Sequence, residues 1–357
     1  MKKCSYFAVV MALLIGLSGC TFTKGDSTAD DAATTPRPES PEIAQAPEAS
    51  SEPSQPTKSF ITLELDSKAI ANNQIEDTSK RNIHVYLPPS YYDSEDKYPV
   101  VYFLDGYGNS SWSFLQKQVS LLDKEFEAGA QQFIMVSLDG NNKTGGSFYV
   151  NSPVSGNWED FVVQEVVALI DSTYRTRPES QFRGISGYSM GGFGALNLSM
   201  KHPEVFGSTL VFGPGIFKEE NINDVFATWK YEPAVKRSYA QAFSPNMDNE
   251  EVHGNIPEFT GTSEDNQIIE DWLNGFSGWN KKVDDYLALN QPLKGLMIAY
   301  SDTDFYPWIP KGCEYLSEIL DKKEIPHTVS TYSGGHIVPN NAVKDYFIPF
   351  FNKIFHE

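Results

Sequence analysis

Cysteine, histidine and positive charge are scarce in this sequence. Of its 357 residues only three are cysteine, at positions 4, 20 and 313. Cys4 and Cys20 fall within or just after an N-terminal leader, so Cys313 stands alone and no intrachain disulfide is expected in the mature chain. The six histidines are scattered without the spacing of a metal site, and neither a metal nor a cofactor is expected. Lysine and arginine number 28 against 47 aspartates and glutamates, a formal net charge of -19. A surface of that sign repels phosphate, which excludes nucleic acid and anionic lipid and leaves neutral sugars and uncharged esters open.

The leader carries its own pattern. Lys2 and Lys3 precede an apolar run at 7–17 that is too short to span a bilayer, and Leu17-Ser18-Gly19-Cys20 closes it with small residues. That ending resembles the bacterial lipobox, in which the signal is cut before the cysteine and the thiol is lipidated. Residues 1–19 are therefore expected to be a lipoprotein signal peptide and Cys20 the lipidation site. Thr21 in place of an aspartate favours the outer membrane, so the expected location is the bacterial cell envelope, with membrane contact through the N-terminal lipid only. Residues 20–58 are rich in Ser, Thr, Pro and acidic side chains and almost free of large apolar ones, which predicts an extended tether. The folded part is expected over 59–357. Nothing in the pattern reports an oligomeric state.

From residue 59 onward, short apolar runs alternate with helical spacings, the signature of a mostly parallel sheet covered by helices on both faces. Strands are predicted at 82–87, 98–104, 132–138, 182–186, 209–212, 296–300 and 328–332. Helices are predicted at 158–174, 191–201, 310–322 and 341–355. Residues 217–290 break this rhythm with a long stretch of polar composition and no strand, and they read as a cap insertion over the C-terminal edge of the sheet. A lipase cap, by contrast, would show an apolar face.

Gly187-Tyr188-Ser189-Met190-Gly191 falls between a predicted strand and a predicted helix. Glycines on both sides of a serine permit a turn so tight that the hydroxyl projects above the sheet edge. A serine hydroxyl needs a base, and the base needs an acid to hold its tautomer. Both follow in chain order. Ser301-Asp302-Thr303-Asp304 succeeds one strand, with either aspartate as the acid, and Ser333-Gly334-Gly335-His336 succeeds the next, with His336 as the base. Two N–H donors are also needed for an oxyanion; Met190 supplies one by position, and Tyr107, in the turn Asp105-Gly106-Tyr107-Gly108, is the candidate for the other.

Val85-Tyr86-Leu87-Pro88-Pro89-Ser90-Tyr91, Tyr98-Pro99-Val100-Val101-Tyr102, Gly187-Tyr188-Ser189-Met190-Gly191-Gly192 and Gly334-Gly335-His336 together resemble the esterase D / feruloyl-esterase-like branch of the α/β-hydrolase superfamily. The resemblance runs over nearly all of residues 60–355. It implies the α/β-hydrolase fold, no cofactor, Ser189 as nucleophile, His336 as base, Asp304 as acid, and Tyr107 with Met190 as the oxyanion pair. Ser301 stands where the family has glycine, which keeps Asp302 in play. Many members carry His-Gly where this chain has Asp105-Gly106, a version similar to mycolyltransferases and some sugar-ester hydrolases. Asp105 then either meets a sugar hydroxyl or braces its own loop.

The expected function is a serine carboxylic ester hydrolase acting through an acyl-enzyme on acyl groups carried by a carbohydrate or similar alcohol. Acyl transfer to a sugar, enterochelin-type siderophore esterase activity and a catalytically silent binding protein of the same fold are the alternatives. Asp105, Asn109 and the aromatics Tyr107, Trp112, Trp158, Tyr306 and Trp308 are candidates to rim the site and contact a phenolic or sugar group.

Overall fold

The computed structural model describes residues 59–356. The expectations for the signal peptide, Cys20 and the tether lie outside the described residues. Eight strands form one sheet: β1 (Phe60–Asp66), β2 (Lys80–Tyr86), β3 (Val100–Leu104), β4 (Ile134–Leu138), β5 (Arg183–Tyr188), β6 (Ser208–Phe212), β7 (Gly295–Ser301) and β8 (Thr328–Tyr332). Their spatial order is β1-β2-β4-β3-β5-β6-β7-β8. The β1·β2 and β2·β4 pairings are antiparallel and the rest are parallel. The longer helices are α1 (Ser111–Glu127), α2 (Met190–Lys201), α3 (Pro233–Phe243), α4 (Ser263–Phe276), α5 (Trp279–Ala288), α6 (Trp308–Lys322) and α7 (Ile348–His356). No described helix is long and apolar enough to cross a membrane.

The central strands are buried on both faces, which is why they read as unbroken apolar runs rather than as alternation. In β3, Val100, Tyr102 and Leu104 enter one core with α2 and α6, whereas Val101 and Phe103 enter the other with α1 and α7. Phe103 stacks on Phe114 of α1 with ring centroids 3.6 Å apart. Truncating either ring would cost about 3–5 kcal/mol. Strand β3 starts two residues later than predicted because Pro99 has no N–H to donate, and Tyr98 forms only an isolated bridge to Thr176.

Three departures from expectation have physical causes. Strand β1 was absent from the predicted set; it is an edge strand in which half-buried Ile61, Leu63 and Leu65 alternate with exposed Thr62, Glu64 and Asp66. Helix α1 was also absent, although Phe114, Gln118, Leu122 and Phe126 recur every fourth residue along its buried face and Ser110 caps it. The helix expected over 158–174 is continuous but widens into a π-helical stretch at Phe161–Val166.

The insertion at 217–290 is helical and holds no strand. Its apolar character, however, corrects the expectation of a polar cap. Trp229, Tyr239, Phe243, Trp272, Phe276 and Trp279 are all buried. Their spacings, 239 to 243 and 272 to 276, put the rings on the inner faces of α3 and α4, while polar side chains fill the outer faces and dominate the composition.

Candidate active site

Strand β5 ends at Tyr188 and α2 begins at Met190, which leaves Ser189 alone to turn the chain. Its backbone sits at φ 55, ψ -115, a conformation that side chains other than glycine avoid. Close packing holds it there. A Cβ on Gly191 would lie 1.9 Å from the Leu104 carbonyl oxygen, and one on Gly187 would lie 2.2 Å from the Gly191 carbonyl oxygen, so only glycine lets the elbow approach β3. Ser189 N–H donates to the Phe212 carbonyl at 3.1 Å, and the Ser189 carbonyl accepts from Gly215 N–H at 3.0 Å.

The turns after β7 and β8 converge on that serine. His336 Nε2 lies 2.8 Å from Ser189 Oγ, and its Nδ1 lies 2.7 Å from Asp304 Oδ2. The other Asp304 oxygen accepts from Tyr306 N–H at 2.8 Å. The Asp304 side chain is 1% exposed and that of His336 9%, so the pair is shielded where its electrostatics are strong. Gly335 at φ +76 bends the chain that delivers His336. Tyr188 donates its hydroxyl to the His336 carbonyl, and the Tyr306 ring stands edge-on to the imidazole at 5.0 Å. Asp302 is exposed and directed elsewhere; it accepts from Ser333 Oγ at 2.8 Å.

Above Ser189 lies a cavity of about 200 Å³. Tyr107 and Met190 both border it, as do Asn109, Tyr306 and Trp308. Trp229, Glu232, Tyr239 and Phe276 close it from the insertion. Burial pushes the Tyr107 and Tyr306 phenols above their ordinary range, and the Glu232 carboxylate pushes them in the same direction. Among the described residues no cluster of three or more His, Cys, Asp or Glu could hold a metal ion.

Three expected contacts fall elsewhere. Trp158 is fully buried, with its indole N–H donating to the Ser155 carbonyl at 2.9 Å and its ring against Phe161 and the Arg81 guanidinium. It belongs to the hydrophobic core and does not line the cavity. Asp105 is likewise buried and accepts from Ser137 Oγ at 3.1 Å, so it braces its own loop. Burial, reinforced by Asp139, holds its carboxyl well above the usual carboxylate range. Trp112 sits in the first turn of α1, off the cavity.

A family model described as a putative esterase matches residues 76–264, more than half of the chain. The chain belongs to this esterase family. An esterase of Mycobacterium tuberculosis is 32% identical over 131 residues, 35% of this chain and 27% of that protein. An endo-1,4-beta-xylanase/feruloyl esterase of Xylanibacter ruminicola is 28% identical over 159 residues, 42% of this chain and 22% of that protein. This esterase-family chain thus spans about a quarter of the length of those curated relatives. Among solved structures, a ferulic acid esterase superposes with TM-score 0.57 at 21% identity, covering 83% of this chain and 98% of the other. A fluorophosphonate-binding serine hydrolase of Staphylococcus aureus gives TM-score 0.57 at 16% identity, covering 84% and 98%. The shared architecture is the α/β-hydrolase fold.

Sequence reasoning missed Tyr188 as the anchor of the histidine loop, along with the cavity-lining Trp229, Glu232, Tyr239 and Phe276. The signal for the rings was their helical spacing within the insertion.

Proposed function

We propose that this chain is a serine carboxylic ester hydrolase with Ser189, His336 and Asp304 as its catalytic triad. The observation that carries this reading is the unbroken hydrogen-bond chain from Ser189 Oγ through the imidazole to Asp304, at 2.8 and 2.7 Å, on a strained elbow. Ser189 Oγ attacks the ester carbonyl as His336 Nε2 takes its proton, and Asp304 holds the imidazole in the reactive tautomer and stabilises the imidazolium. The Tyr107 and Met190 N–H groups receive the oxyanion. The tetrahedral adduct collapses, the alcohol leaves with the proton from His336, and water repeats the cycle on the acyl-enzyme, releasing the acid.

The acyl group is short or aromatic and its alcohol is a sugar or sugar-like. A cavity of about 200 Å³ walled by Tyr239, Phe276, Tyr306 and Trp308 supports this, since it is too small for a long alkyl chain. The relative named as a feruloyl esterase supports it by kinship. With the lipobox-like Leu17-Ser18-Gly19-Cys20, we place the enzyme at the bacterial cell envelope, held by lipid on Cys20.

A panel of p-nitrophenyl acyl esters from acetyl to decanoyl, with methyl ferulate and acetylated xylan, tests the substrate class against a Ser189→Ala control. The expected profile falls beyond short chains and includes ferulate or acetylated sugar. Activity rising through decanoyl, with no turnover of either natural-type ester, would overturn it.

A further inference from the structure

A second cavity, of about 790 Å³, opens where the C-terminal half of α2 meets α4, α5 and the chain after α3. From Ser189 to Asn197 the 1.5 Å rise per residue of α2 gives a separation of ~12 Å, so this is not the triad cavity. Aromatic rings stand between the two. Phe276 lines the triad cavity and Phe243 lines the second one, with their centroids 5.4 Å apart.

Two polar side chains of this cleft have few partners of their own. Asn197 is 6% exposed and lines the cleft, yet its side-chain amide hydrogen-bonds to no other described residue. That leaves its donor and acceptor positions available to a ligand entering the cleft. Lys282 Nζ makes one hydrogen bond, to the Asn274 carbonyl at 3.3 Å, and has no described carboxylate within ion-pairing distance. Burial, with help from Lys201, lowers its pKa to about 8.

The charge balance selects the ligand. Glu159, Asp271 and Asp285 border the cleft against Lys201 and Lys282, and Lys201 is already paired with Glu159. An anion would meet more negative than positive charge. Hydroxyl groups, which donate and accept at the same atom, match a mixed set of amides, carboxylate and ammonium. The geometry points to a second, non-catalytic site for a neutral oligosaccharide, with hydroxyls bonded to Asn197, Asn274, Lys282 and Asp271. This site stands apart from the ester chemistry and holds whether or not Ser189 is a nucleophile.

Isothermal titration of the full chain with xylohexaose, cellohexaose and maltohexaose, beside inorganic phosphate, tests it. Saturable binding of at least one hexaose is expected, with Asn274→Ala and Lys282→Met each weakening it about tenfold. Asn274 is exposed, so its variant keeps the fold, and matched melting curves verify this. Turnover of p-nitrophenyl acetate is expected to stay unchanged in both variants. Absence of saturable hexaose binding up to roughly 10 mM, binding indifferent to both substitutions, or binding of phosphate instead would overturn the proposal.

Discussion

The Tyr188 hydroxyl donates to the main-chain carbonyl of His336, so the residue before the elbow serine anchors the loop that carries the imidazole. The Tyr188 ring also lies 4.9 Å from the imidazole. One side chain thereby sets both the position of the loop and one wall of the histidine's pocket.

Tyr188→Phe keeps the ring and removes the hydroxyl. The expected result is a loss of about 1 kcal/mol in stability and about a tenfold fall in kcat with KM nearly unchanged. Steady-state kinetics with a melting curve checks it, and a wild-type kcat would show that the anchor is dispensable.

Replacing Asp304 by Asn leaves an amide that favours the wrong imidazole tautomer, and kcat should fall by roughly 10⁴ with the fold intact. Asp302→Asn should remain within about threefold of wild type, because Asp302 bonds to Ser333 and the effects of exposed substitutions are small. A fluorophosphonate probe should label Ser189 in wild type. The reverse ranking of the two aspartate variants would reassign the acid.

Glu232 faces the triad cavity and raises the pKa of the Tyr107 and Tyr306 phenols. It should repel acyl groups that carry a carboxylate. Glu232→Gln is expected to raise kcat/KM for a p-nitrophenyl hemisuccinate about tenfold while leaving p-nitrophenyl acetate almost unchanged. Equal effects on both esters would mean that the side chain acts by packing alone.

Lys282, ordinarily near 10.5, titrates at about 8 because burial disfavours its charged form. Below about 8 both folded and unfolded chains hold the proton, and the full cost of the buried charge is present. Between about 8 and 10.5 only the unfolded chain binds it, so that cost is relieved as pH rises. Lys282→Met should therefore stabilise the protein at pH 7 by on the order of 1–3 kcal/mol, an advantage that shrinks toward pH 10. Denaturant unfolding at a series of pH values reads this directly; an advantage independent of pH would exclude the charge as its source.

What the sequence alone determined was local. Glycines around Ser189 follow from the tightness of a single strand-to-helix turn, and the predicted central strands follow from apolar runs that burial on both faces requires. The order Ser189, then Asp302 or Asp304, then His336 was visible because each residue sits just after a strand. The tertiary structure decided what depends on facing surfaces. Two aspartates separated by one residue are equivalent until the fold turns one to Ser333 and the other to His336. Trp158 and Trp229 are alike as letters, yet one packs against Phe161 and Arg81 and the other closes a cavity, because the destination of a ring is set by which face of its segment meets which neighbour. Cavities exist only between such faces, so neither the aromatic pocket over Ser189 nor the cleft around Asn197 has a signature in any one stretch of chain.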